Sequence, residues 1–141
     1  MATRGRPKKK KPEMVKATKG RPACPMCLGK EGRKEWKRVI PELDSMGILA
    51  QVDRATLTTY CEAWEDFVNL LEEYKVDGAT VTTDKGNIVQ NPILGAKNKA
   101  AERLLKIARQ FGMTPAARTK LEAAEAGDED AFAKFVGLKV V

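Results

Sequence analysis

The 141-residue chain contains no histidine. The side chain most often used for proton transfer near neutral pH, and the commonest metal ligand, is therefore missing. There is also no Gly-x-x-x-x-Gly-Lys-Ser/Thr loop to cradle nucleotide phosphates. Acidic residues fall mostly on the polar faces of predicted helices. Asp128-Glu129-Asp130 reads more simply as an acid-rich first turn of helix than as a metal cluster. These absences predict a protein that is not an enzyme, with no catalytic residue and no cofactor.

Long apolar runs are lacking too. No segment approaches the ~20 residues that a membrane helix needs. The N-terminus is charged, but no apolar stretch follows it as in a secretory signal. No membrane partner is expected. Cysteine is scarce: three residues, an odd count without secretory context, which predicts reduced thiols in a cytosolic setting. Cys24-Pro-Met-Cys27 has the spacing of a metal knuckle, but a structural zinc site takes four ligands. The remaining cysteine, Cys61, falls on an apolar helical stripe and reads as a small core residue. No metal site is expected, and the redox reading of Cys-x-x-Cys lacks its βαβ context.

What the chain does have is positive charge, unevenly placed. The net charge is +7. Residues 1–38 hold 14 Lys/Arg against 3 Asp/Glu, a net of +11, whereas residues 39–141 hold 12 against 16, a net of −4. A basic arm on a mildly acidic body points to a polyanionic partner for the arm. Residues 1–28 are rich in Lys, Arg, Pro and Gly. They carry too little apolar surface to offset their ordering entropy, so a disordered arm is predicted. Within it, Gly5-Arg6-Pro7, with Arg4 before and Lys8 to Lys11 after, resembles an AT-hook. Glycine permits close backbone approach and arginine suits a narrow minor groove, while the lysines neutralise phosphates. The plainer reading is a solvated basic tail of nonspecific affinity. A second copy, Gly20-Arg21-Pro22 after Lys19, runs into Ala23-Cys24 and reads as a weaker hook or a linker. The candidate DNA-binding residues are Arg4, Arg6, Lys8, Lys9, Lys10, Lys11, Lys19 and Arg21.

The body, residues 29–126, is predicted to be mainly helical. A helix begins near Lys30 with Trp36, Val39, Ile40 and Leu43 on one face, and Pro41 kinks or ends it. Residues 52–75 form the strongest amphipathic pattern, with Leu57, Tyr60, Cys61, Trp64, Phe67, Val68 and Leu71 at steps of three and four; Gly78 stops it. Residues 79–90 change to β-branched residues around Asp84-Lys85-Gly86-Asn87, which predicts a β-hairpin. Asn91-Pro92 then reads as a cap and first helical residue. Leu94, Ala101, Leu104, Leu105, Ala108 and Phe111 make the next stripe, and Gly112 closes it. Thr114-Pro115 starts a short helix to about Ala126, with Leu121 inward. The tail, residues 127–141, has the pattern of one or two further helical turns, and its Phe132, Phe135 and Val136 need a surface to cover.

The order of these features resembles the phage terminase small subunit family. The resemblance runs over about residues 4 to 121, through GRPKK, KGRP, EWKRVIPELDSMGIL, VDRATLTTYCEAW, TVTTDKGNIVQNP and FGMTPAARTKL. Its most specific pieces are Trp36 with Leu43 and Gly47; Asp53 with Leu57, Tyr60 and Cys61; Asn91-Pro92; and Phe111-Gly112 with Thr114-Pro115 and Arg118. The resemblance implies a factor in genome packaging in the host cytoplasm. Such a factor binds double-stranded viral DNA, assembles as a homo-oligomeric ring, and regulates the large terminase subunit, which carries the ATPase and nuclease. The alternative is a stand-alone DNA-binding regulator using the same AT-hook-like arm. Its best recognition face would be Lys97, Asn98, Lys99, Arg103, Lys106 and Arg109.

Overall fold

In the computed structural model of the chain, residues 17–125 are described. Arg4, Arg6, Lys8, Lys9, Lys10 and Lys11 lie outside the described residues, as do Phe132, Phe135 and Val136. The architecture is mainly helical with one small antiparallel hairpin.

Helix α1 spans Lys30–Ser45 and buries Trp36, Val39, Ile40 and Leu43, the four residues read as its inner face. Pro41 does not end it. The proline sits on the exposed side, where water can take up the carbonyl it leaves unpaired, and the helix continues to Ser45. The last turn is held by the Met46 N–H and the Ser45 hydroxyl, which both donate to the Glu42 carbonyl, at 3.1 and 2.7 Å. A 3₁₀ turn, Gln51–Asp53, leads into α2, Arg54–Asp77. Asp53 reaches back to accept the Ala50 N–H at 2.9 Å, which ties the turn to the helix it precedes. Helix α2 ends at Gly78, whose φ of 78° is the left-handed value that glycine adopts without strain.

The two helices approach closely at Gly32. A Cβ there would stand 3.2 Å from the Cys61 carbonyl oxygen and 3.3 Å from Leu28 Cδ2, so glycine sets how near α1 lies to α2. Leu57, Tyr60, Cys61 and Ala63 of α2 are buried here. Trp64, Phe67, Val68 and Leu71, from the same predicted stripe, are only half-buried. The reason is the length of α1. It starts beside Glu65, which accepts the Gly29 N–H at 2.9 Å, and beyond that point α3 supplies the packing.

Strands β1, Thr80–Thr82, and β2, Ile88–Gln90, pair antiparallel with Val81 opposite Val89. Gly86 N–H donates to the Thr83 carbonyl at 2.8 Å to close the turn. The hairpin sits at the junction of α2 and α3, Pro92–Gln110, and exposes Ile88. Asn91 joins all three elements. Its Oδ1 accepts the Ile93 N–H at 3.0 Å, capping α3, and its Nδ2 donates to the Gly78 carbonyl at 2.9 Å. Its own N–H donates to the Ala79 carbonyl at 2.9 Å. Asn91 is only 2% exposed, so Asn91→Ala removes a cap and leaves a buried carbonyl short of its donor. A loss of about 2–3 kcal/mol is expected in urea unfolding, with Asn91→Asp, which keeps the cap acceptor, losing less. Equal stability of the alanine variant and the parent would rule out this junction role.

Helix α3 turns Ala100, Ile107, Ala108 and Phe111 into the core. Leu105, placed on the inner stripe by spacing, is instead 50% exposed, and Ile107 takes the inward position. Helix α4, Pro115–Glu125, begins after Thr114, whose hydroxyl accepts the Ala117 N–H at 3.3 Å. Among the described residues the core gathers Leu28, Leu43, Leu49, Leu57, Cys61 and Ile107, with others.

Candidate nucleic-acid interface

The second Gly-Arg-Pro is part of the folded body. Lys19 pairs with Ala50 in an antiparallel bridge, and Gln51 N–H donates to the Thr18 carbonyl at 3.0 Å. Gly20 takes φ +143°, a backbone open to glycine, where a Cβ would meet the Gln51 side chain at 2.8 Å. The Arg21 guanidinium is 2.7 Å from the Asp44 carboxylate. Farther on, Arg54 donates to the Ala23 carbonyl at 3.0 Å, and Arg33 donates to the carbonyls of Leu28 and Met26 at 2.7 and 2.8 Å. Pro22, Pro25 and Leu28 are buried. The expectation of a disordered arm through residue 28 therefore does not hold from residue 17 on. Composition could not show this, because the groups that satisfy the segment's carbonyls come from Gln51, Arg54 and Arg33, outside the segment itself.

This route places the predicted site residues apart. The segment runs from Asp44, at the end of α1, back to Gly29, at its start. Residue 17 and Lys30 thus lie toward opposite ends of a 16-residue helix about 24 Å long, at ~1.5 Å per residue. Of the predicted DNA contacts that are described, Lys19 is exposed and Arg21 is held in its ion pair, which at 59% exposure is worth ~0–1 kcal/mol.

A second basic feature was hidden inside the N-terminal charge count. Lys30, Arg33, Lys34 and Lys37 line one shallow, open groove along α1 with Leu28 and Gly29. Lys34 pairs with Glu31 at 2.7 Å, and Arg33 holds the two carbonyls of the preceding loop. Lys30 and Lys37 make no side-chain hydrogen bond or ion pair among the described residues. The spacing 30, 34, 37 is a helical face visible in the sequence, but it was absorbed into the total for residues 1–38. The face proposed for a stand-alone regulator is differently placed. Lys97 lies over the rings of Phe67 and Tyr74, at 5.9 and 5.6 Å, and Arg103 pairs with Asp66.

Glu35 is a buried carboxylate, 4% exposed, with all its partners nearby. Arg38 donates two hydrogen bonds to it, at 2.8 and 2.5 Å, and the Tyr60 hydroxyl donates a third at 2.9 Å. Burial, then the bond to Glu35, pushes the Tyr60 hydroxyl well above its ordinary pKa; the same carboxylate raises that of Arg38. Burial, followed by Glu35, pushes the Cys61 thiol up to about 12, so it stays protonated as a packing group. Cys24 and Cys27 are exposed. Among the described residues no group of three Cys, Asp or Glu is placed to hold a metal ion, and no helix is long and apolar enough to cross a membrane.

The folded body is thus a small helical scaffold with a basic helix edge and a charged N-terminal extension anchored at its root. A family model for the phage terminase small subunit matches residues 32–128, more than half of the chain. The chain belongs to the phage terminase small subunit family, and its role lies in phage DNA packaging. Proteins of this family are generally regulatory or DNA-binding rather than catalytic, and the family implies DNA and the large terminase subunit as partners. No individual curated protein and no solved structure matches the chain.

Proposed function

We propose that this protein binds double-stranded viral DNA and regulates the large terminase ATPase and nuclease during genome packaging in the host cytoplasm. The observation that carries the reading is the family match, joined to a charge distribution that concentrates +11 in residues 1–38. In this reading Arg4, Arg6 and Lys8 to Lys11 catch duplex DNA, and Lys19 and Arg21 add charge at the root, Arg21 from its exposed ion pair with Asp44.

The working form is a homo-oligomeric ring. Val76 is 85% exposed, Ile88 75% and Leu105 50%, and apolar surface left bare on a monomer of this size is suited to a subunit contact. A heterologous contact that closes gives a ring, and many arms on one ring multiply a weak interaction. Light scattering on the full chain should give a mass well above that of a dimer. Adding the chain with duplex DNA should change the ATPase rate of the large subunit. A monomer at micromolar concentration that leaves that rate unchanged would refute both parts. A chain ending at Ala126 that still assembles would assign the contact to the hairpin or helices rather than the tail.

A further inference from the structure

We propose that the edge of α1 formed by Lys30, Lys34 and Lys37 is a second contact for the phosphate backbone of duplex DNA, separate from the arm. The inference rests on the DNA-binding reading above and extends it to a surface of the folded body. Three observations carry it. Lys30, Lys34 and Lys37, with Arg33, line one open groove, and even with Lys34 offset by Glu31 the groove keeps a net positive charge. No carboxylate lines that groove, and Glu35 is turned into the core by Arg38 and Tyr60; Glu31 pairs with the groove's own Lys34, which leaves Lys30 and Lys37 as its unpaired lysines among the described residues. The groove floor is also fixed, because Arg33 clamps the carbonyls of Met26 and Leu28 and Gly29 N–H is held by Glu65.

The geometry suits backbone contact rather than base reading. Lys30 to Lys37 spans about 10 Å of helix, and the two unpaired ammonium groups at its ends, with Lys34 between them in its ion pair with Glu31, can reach phosphates along one strand. The described residues 17–38 hold 7 Lys/Arg against 2 Asp/Glu, a net of +5, so a substantial part of the N-terminal charge belongs to the body. The arm leaves the body at the other end of α1, so the two contacts engage the duplex at separate points. Their contributions to affinity are therefore expected to be independent.

The test uses the full chain carrying Lys30→Gln with Lys37→Gln. Both residues are exposed, and glutamine preserves helix propensity, so melting temperature and assembly should match the parent. Binding to a random-sequence duplex should weaken on the order of tenfold near physiological salt. The slope of log Kobs against log salt should fall by about 1.8 for each engaged subunit. The loss should be the same on A·T-rich and G·C-rich duplexes, and should recur in a chain lacking residues 1–12. A control carrying Lys75→Gln with Lys85→Gln removes equal charge from the far end of the body and should leave binding unchanged. Unchanged affinity and slope in the Lys30/Lys37 variant would overturn the α1 contact while leaving the arm reading intact. An equal loss in the control would also overturn it, by reducing the effect to net charge. A loss in the Lys30/Lys37 variant together with no effect of deleting residues 1–12 would support the α1 contact and refute the arm.

Discussion

Deleting residues 1–12 is expected to lower affinity for duplex DNA by about a thousandfold near physiological salt. The deleted stretch contains Arg4, Arg6 and Lys8 to Lys11. If four of these six cations sit on phosphates at once, their loss removes about 3.6 from the salt slope, and the affinity change follows from that slope. The fold should be untouched, because the described contacts that tie the chain to the body begin at Thr18 and Lys19. Single substitutions separate groove reading from charge. Arg6→Ala should reduce preference for A·T-rich duplex more than overall affinity, and Lys9→Ala should lower affinity alike on all sequences. An unchanged salt slope after deletion would remove the arm from the DNA contact altogether.

Leu57→Ala is expected to cost about 3 kcal/mol of stability, against less than about 1 kcal/mol for Leu105→Ala. Both residues stand on apolar stripes in the sequence. Leu57 is 0% exposed, between α1 and the buried end of α3, so truncation leaves a cavity that close-packed neighbours cannot fill. Leu105 is half in water already and leaves none. In thermal unfolding the first change should lower Tm by on the order of 10 °C and the second by a few degrees at most. If Leu105→Ala left the monomer unchanged but reduced the assembled mass, its exposed surface would be assigned to a subunit contact. Similar losses at both positions would show that the core extends past the face described above.

The elements that the sequence made legible share a cause. The α2 stripe, the hairpin around Asp84–Asn87 and the Asn91-Pro92 cap are encoded by residues within a few positions of one another, so local spacing suffices. The misreadings are long-range. Of the two outcomes the sequence leaves for Pro41, a kink or an end, the helix does not end there, because the proline lies on the exposed face of α1, where the lost hydrogen bond is cheap. Gly20-Arg21-Pro22 is not a linker, because Asp44, Leu49 and Gln51 bind it from more than 20 residues away. Leu105 and Ile107 exchanged roles because a helix pattern sets which residues share a face, and the neighbouring helix decides which edge of that face is covered.

The sequence by itself determined the helical class, the hairpin at residues 80–90 and the excess of positive charge near the N-terminus, because propensity, periodicity and charge are carried residue by residue. The tertiary structure decided where that charge stands. It paired Arg21 with Asp44, buried Glu35 under Arg38 and Tyr60, and left Lys30 and Lys37 facing solvent along α1. Ion pairing and burial depend on which side chains meet across the fold. Those meetings were set here by a close approach at Gly32 and by the segment 17–28 folding back along the first helix.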